Sequence, residues 1–177
     1  MRYEHALHRN TVSVFMFILS SGLFTAAQQA SSTEMQRVFD EDQRDRAMNM
    51  ARMTPKQRAK WGVEIEARDK ARRKQVLEFL SKNQLRTGDD YQEAAFVFQH
   101  GATPDDFLLA HTFAIVAVAR GSTKSRWIAA ATLDRYLQRM KQPQIFGTQY
   151  TVGGRVGDKW TQAPYNRTLV PDALRQK

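Results

Sequence analysis

Three threonines decide where helices can begin in this chain. Thr54-Pro55, Thr87-Gly88-Asp89-Asp90 and Thr103-Pro104-Asp105-Asp106 each set a hydroxyl ahead of a stretch with helical periodicity. A threonine oxygen accepts from the free N–H groups of a first turn, proline is tolerated there because it has no N–H to leave unpaired, and carboxylates suit the positive end of the helix dipole. Stops follow at Gly101, Gly121 and Pro143. The spacing predicts helices from about Glu34 to Asn49, from Thr54 to about Lys82, from the Thr87 turn to Gly101, from Thr103 to Arg120 and from Thr123 to about Lys141. Beyond Pro143, Gly147, Gly153, Gly154 and Gly157 alternate with Tyr150-Thr151-Val152 and Lys159-Trp160-Thr161, which predicts a small β-hairpin within 149–162. Val170-Pro171-Asp172 opens a last helical turn. The fold class is therefore mainly α: a compact bundle of about five helices with a small C-terminal β-hairpin. The third to fifth helices resemble Sel1-type helix pairs, although fewer than three units are visible.

The front of the chain reads differently. Arg2 and Arg9 precede the apolar run TVSVFMFILSSGLF (11–24), which leads into Thr25-Ala26-Ala27. A charged start, a short apolar centre and small residues at the cut predict a signal peptide over 1–27 cleaved after Ala27; an uncleaved membrane anchor is the alternative. A short leader (28–33) and one domain (34–177) would remain, in the periplasm or secreted. The chain has no cysteine. Disulfides, thiolate metal sites and thiol nucleophiles are thus excluded. The formal net charge of +9 falls by only one when Arg2, Arg9 and Glu4 are removed. A basic domain favours anionic partners, here weak electrostatic association with an anionic membrane surface. The densest cationic run, RDKARRK (68–74), has no interleaved aromatic residue and reads as a solvated helix face, so no nucleic-acid partner is expected.

Polar residues interrupt the apolar faces. On the second helix Asp69 and Arg72 share a stripe with Trp61, Ile65, Val76 and Phe79. On the fourth, His111 aligns with Phe107, Ala114 and Val118; on the fifth, Asp134 aligns with Trp127 and Ala131, with Arg135 beside it. Asp42, Arg46, Gln99 and His100 add to this set. A buried polar group left unpaired costs about 1 to 3 kcal/mol, so these must meet one another, water or a ligand. Either they form a structural network, with His111 donating to a carboxylate or carbonyl, or they form a site. As a site, an imidazole beside a carboxylate can do acid–base work, and arginines can hold an anion through paired bonds. A metal at His100, His111 and Asp134 fits by ligand type, but the spacing matches no metal motif, so neither a metal nor a cofactor is expected. After the fifth helix, Gln144, Thr148 and Gln149 around Gly147 offer donors in a loop that could recognise a ligand or simply satisfy its own backbone.

DQRDR (42–46), RDKARR (68–73), FQHG (98–101), LDR (133–135) and PQIFGTQY (143–150) occur in this order. In that order the chain resembles a family of bacterial proteins of unknown function that share DQ-x-D-R, QH, DR and Q-x-Y/F-G-T-Q blocks. This chain has Phe146 where a tyrosine is common there, and Gly101 where Ala-Asp often follows the histidine. The resemblance implies an α-helical fold and points to Asp42, Gln43, Arg46, Gln99, His100, Asp134, Arg135, Gln144, Thr148 and Gln149; it implies no activity.

The leading expectation is an exported protein that binds a small polar or anionic ligand, or a peptide end, through Asp42, Gln43, Arg46, Gln99, Arg135, Gln144, Thr148 and Gln149. A metal-independent hydrolase or transferase using His100 or His111 with Asp134 is the alternative. An adaptor that binds another envelope protein is a third. No Gly-x-Ser-x-Gly elbow, phosphate loop or HExxH pattern is present to name an enzyme class.

Overall fold

A computed structural model describes residues 32–153 and 157–175; the expected signal peptide and nearly all of the leader lie outside the described residues. The chain runs through α1 (Thr33–Arg46), α2 (Pro55–Ser81), α3 (Gly88–Phe98), α4 (Pro104–Ala119), α5 (Arg126–Arg139), β1 (Thr151–Val152), β2 (Trp160–Thr161) and the short α6 (Asp172–Arg175). The result is a mainly α-helical bundle with a small antiparallel hairpin in which Val152 faces Trp160 and Thr151 faces Thr161. No helix among the described residues is long and apolar enough to cross a membrane.

All three threonines cap as their sequence context implies. Each hydroxyl accepts from the third helical N–H, and the side chain there, Gln57, Asp90 or Asp106, returns a bond to the threonine N–H. Two ends differ from expectation. α1 stops at Arg46 rather than Asn49, because the Asn49 side chain accepts from Ala51 N–H and starts a separate 3-10 turn over Met50–Arg52. α5 starts at Arg126, preceded by a 3-10 turn over Thr123–Ser125. Gly101, expected as a C-terminal stop, does not take the left-handed conformation; it is needed because a Cβ there would lie 2.1 Å from that of Asp106, so the close entry into α4 leaves no room for a side chain.

α4 lies between α3 and α5, while α1 packs on α3 and α2 on both. Ala94, Ala95, Ala110, Ala114 and Ala117 are fully buried, which lets these helices approach closely. The Phe98 and Phe113 rings meet edge to face at 5.2 Å, among Met35, Val38, Val76, Leu85 and Ile128. On α2 the buried positions are Ile65, Asp69, Arg72 and Val76, matching the mixed stripe seen in the sequence. α5 is rotated from expectation: it buries Ile128, Ala131 and Asp134, whereas Trp127 is 56% exposed and stacks on Phe96. The large ring gains its contact at the rim, and the smaller side chains fit beneath. Nothing in this arrangement is specific to Sel1-type pairs.

The fully buried Asp90 ties two helix starts together. It accepts from Ser32 N–H (2.7 Å), Arg86 N–H (2.9 Å), Thr87 N–H (2.8 Å) and the Thr87 hydroxyl (2.9 Å), and Ser32 is the N-cap of α1. Burial pushes its pKa up, but these donors outweigh burial and hold it below 3.8. A depressed carboxylate contributes stability that is present above its unfolded pKa and is lost as pH falls through the folded one. Asp90→Ala is expected to lower unfolding free energy by about 2 to 3 kcal/mol at pH 7. In urea titrations the deficit should shrink below pH 4; a constant deficit would show that the charge is not what matters.

Candidate functional site

The polar residues form two clusters that meet at α5. The first is an ion network between α1 and α2. Arg46 Nη2 donates to Asp69 (2.7 Å) and lies 3.5 Å from Asp42; Arg72 donates to Asp69 (3.0 Å) and to Asp45, which also receives Arg68 (3.1 Å). Asp69 and Arg72 are buried, so each charge is met inside the protein by its opposite. Arg73 extends the network to the end of α3 by donating to the His100 carbonyl (3.0 Å), and its Nε stands 3.6 Å from Asp106.

Asp42 is the least accommodated member. It is fully buried, its Oδ2 accepts from Gln43 (2.9 Å), and its Oδ1 has no hydrogen-bond partner. Burial, only partly opposed by Arg46 and Arg72, pushes its pKa up to about 6. His100 Nε2 stands 3.6 Å from Asp42 Oδ2, a distance that would make an ion pair if the imidazole were charged. It stays neutral instead: burial first, then the positive charges of Arg46, Arg135, Arg72 and Arg73, push its pKa down to about 3. Arg135 enters this group from α5. Among the described residues its side chain makes no hydrogen bond or ion pair, and its Nε is buried without a partner, as is that of Arg46. Burial and then the neighbouring Arg139 lower its pKa from the ordinary arginine value.

The second cluster is a knot around the loop after α5. Asp134 is fully buried. One of its oxygens accepts from Ile145 N–H (2.8 Å) and Phe146 N–H (3.0 Å), the other from Thr148 N–H (2.9 Å) and the Thr148 hydroxyl (2.7 Å). Gln144, also fully buried, accepts from Gln149 N–H (2.9 Å) and donates to the carbonyls of Gln149 (2.9 Å) and Gln162, while its backbone bridges to Pro164 and Asn166. Gln149 closes the knot by donating to the Thr148 hydroxyl (2.9 Å) and the Ala131 carbonyl (3.3 Å). Gly147 turns with φ +74°, and a Cβ there would lie 2.8 Å from the Tyr165 ring.

Asp42, Gln43, Arg46, His100 and Arg135 thus come together, and Gln99, which precedes His100, is buried at the cap of α3. Asp134, Gln144, Thr148 and Gln149 come together elsewhere, bonded to one another and to their own loop. The expected pairing of a histidine with Asp134 is not made: His111 Nδ1 bonds the Ala129 carbonyl (2.9 Å), His100 faces Asp42, and all four bonds at Asp134 go to the loop. No group of three histidines and carboxylates among the described residues could hold a metal ion, and His100, His111 and Asp134 are apart. Sequence reasoning passed over Asp45, Arg73 and Gln162. Asp45 lies inside DQRDR, three residues after Asp42, and that helical spacing was its available signal. Gln162 carried none, since only the return of the hairpin brings it to the loop. No family model matches the chain, and no curated protein and no solved structure match it.

Two outcomes are expected. Asp134→Ala should cost about 2 to 4 kcal/mol in unfolding free energy and speed hydrogen exchange at residues 145, 146 and 148, because three backbone donors lose their acceptor. Exchange unchanged at those amides would mean the loop is held by Gln144 alone. The second concerns pH. Asp42 binds its proton more tightly folded (about 6) than unfolded (3.8), so its contribution is full below about pH 4 and lost as pH rises through 6. His100 binds its proton less tightly folded (about 3) than unfolded (6.5), so its contribution is present above 6.5 and lost as pH falls toward 3. The two oppose each other between about pH 4 and 6. Urea unfolding of His100→Ala should therefore show, relative to the wild type, stability falling as pH rises through that window, and Asp42→Asn the reverse, each by on the order of 1 kcal/mol per pH unit. Parallel pH curves for the three proteins would refute this.

Proposed function

We propose that the chain is an exported binding protein for a small polar or anionic ligand, a peptide end included, held where α1, the end of α3 and α5 meet. The observation that carries this reading is the trio of buried atoms without a hydrogen-bond partner: Arg46 Nε, Arg135 Nε and Asp42 Oδ1. The two guanidinium N–H groups call for an oxyanion, and a guanidinium holds a carboxylate better than any other side chain does. The carboxylate oxygen calls for a neighbouring donor, such as a ligand hydroxyl or ammonium. Arg46, Arg72, Arg73 and Arg135 all bear on His100, so the local potential favours negative charge on whatever binds. Export rests on Arg2, Arg9 and the apolar run over 11–24.

The acid–base alternative draws less support, since Asp134 is committed to its loop and His100 is held neutral beside Asp42. The knot around Gln144, Thr148 and Gln149 contributes to binding by fixing α5 rather than by offering free groups.

Calorimetric titration of the full chain with short carboxylates, amino acids and dipeptides tests the reading. Arg135→Gln is expected to weaken binding about 10- to 100-fold, the worth of a charge-assisted bond. Its melting temperature should stay level or rise, because a buried unpaired cation is removed. Unchanged affinity in Arg135→Gln, or no heat from any member of the panel, would sink the proposal.

A further inference from the structure

The bundle carries an arm, from residue 47 to residue 64, in which no side chain is buried; Met53, Trp61 and Gly62 are half-buried and the rest exposed. The segment holds the turn after α1, the 3-10 turn and residues 55–64 of α2, a helical length of about 15 Å. The ion pairs of Asp45 with Arg68 and Arg72 fasten its base. Arg58 braces the turn by donating to the carbonyls of Met50 (3.4 Å) and Met53 (3.3 Å).

The arm's composition is one-sided. Between Asp45 and Glu64 there is no carboxylate, while Arg52, Lys56, Arg58 and Lys60 are all exposed. Only Lys60 has an ion partner among the described residues, Glu64 at 3.6 Å, on the surface where such a pair is worth little. Interleaved with these cations are exposed apolar side chains: Met48 (48%), Met50 (41%) and Val63 (72%). Trp61 lies among them. Cations with adaptable apolar side chains on one projecting element form the pattern that sits at a lipid headgroup layer, the charges meeting phosphate and the apolar groups entering below it. A nucleic-acid strand would want several aromatic faces for stacking, and the arm offers one. We propose that residues 47–64 dock the protein onto an anionic lipid bilayer surface. The inference does not rest on the ligand site, none of whose residues lies within 47–64.

The test uses the full chain with Trp127→Phe and Trp160→Phe, leaving Trp61 as the sole tryptophan. It is mixed with phosphatidylcholine vesicles, with or without phosphatidylglycerol, carrying brominated acyl chains. Quenching of Trp61 is expected with the anionic vesicles only, and it should weaken as salt is raised. Replacing Arg52, Lys56, Arg58 and Lys60 by Gln should lower partitioning roughly fivefold per charge. Met48→Ser with Val63→Ser should reduce quenching depth while leaving the salt dependence. Removing the same charge from the body, with Lys70, Lys74, Lys82 and Lys124 changed to Gln, should have little effect. The apolar run over 11–24 is common to every variant, so differences between variants read the arm. Equal losses from the body and arm sets, equal quenching by neutral vesicles, or binding to polyglutamate without lipid quenching would overturn the proposal, the last in favour of an acidic protein surface.

Discussion

A buried carboxylate must be surrounded by donors, and this requirement holds the irregular parts of the protein to its helices. Asp90 gathers the N–H groups of Ser32, Arg86 and Thr87, and Asp134 gathers those of Ile145, Phe146 and Thr148. In both cases an oxygen pair on a rigid helix supplies acceptors to backbone that no helix or sheet could satisfy. The same segments contribute little apolar area, so hydrophobic packing alone would leave them loose. In a chain without cysteine, these acceptors hold what no disulfide can.

Asp42 departs from that pattern, and the departure is informative. It is as buried as Asp90, yet no backbone N–H reaches it; its partners are Gln43, the more distant Arg46 and a neutral His100. Hence burial dominates and its pKa goes up, whereas that of Asp90 goes down. Two identical side chains are separated chiefly by the backbone donors that reach Asp90 and not Asp42, with the negative charge of Asp69 adding to the rise at Asp42. The buried Nε atoms of Arg46 and Arg135, which lack partners and whose guanidinium groups both act on His100, mark the place where the fold has not satisfied itself.

The molecule thus divides by how well its polar groups are matched. The loop knot around Gln144 is closed on itself, the α1–α2 network is closed except at its His100 end, and in the arm over 47–64 Arg52 and Lys56 have no ion partner among the described residues. The Asp134–Arg135 pair sits at the boundary, its first member locked into the knot and its second turned toward the unfinished network. Successive residues on a helix point about 100° apart, so one dipeptide can serve both clusters.

The amino-acid sequence by itself determined where helices start, because a threonine cap with its partner three residues on is a local arrangement needing no distant contact. It also determined that Asp69, Arg72 and Asp134 face inward, since helical spacing from Ile65, Val76 and Ala131 places them there. It did not determine the rotation of α5: helical spacing put Trp127 on the face of Ala131 and Asp134, yet Trp127 lies exposed and stacks on Phe96, because only the packing of α3 and α4 sets which face of α5 turns inward. Which polar residues meet was likewise decided in three dimensions. His111 found a carbonyl, His100 found Asp42 and Asp134 found its loop, pairings between segments far apart in the chain that no spacing rule can assign. Local backbone geometry can be read from neighbours in sequence; the partner of a buried charge is set by which surfaces the folded helices bring together.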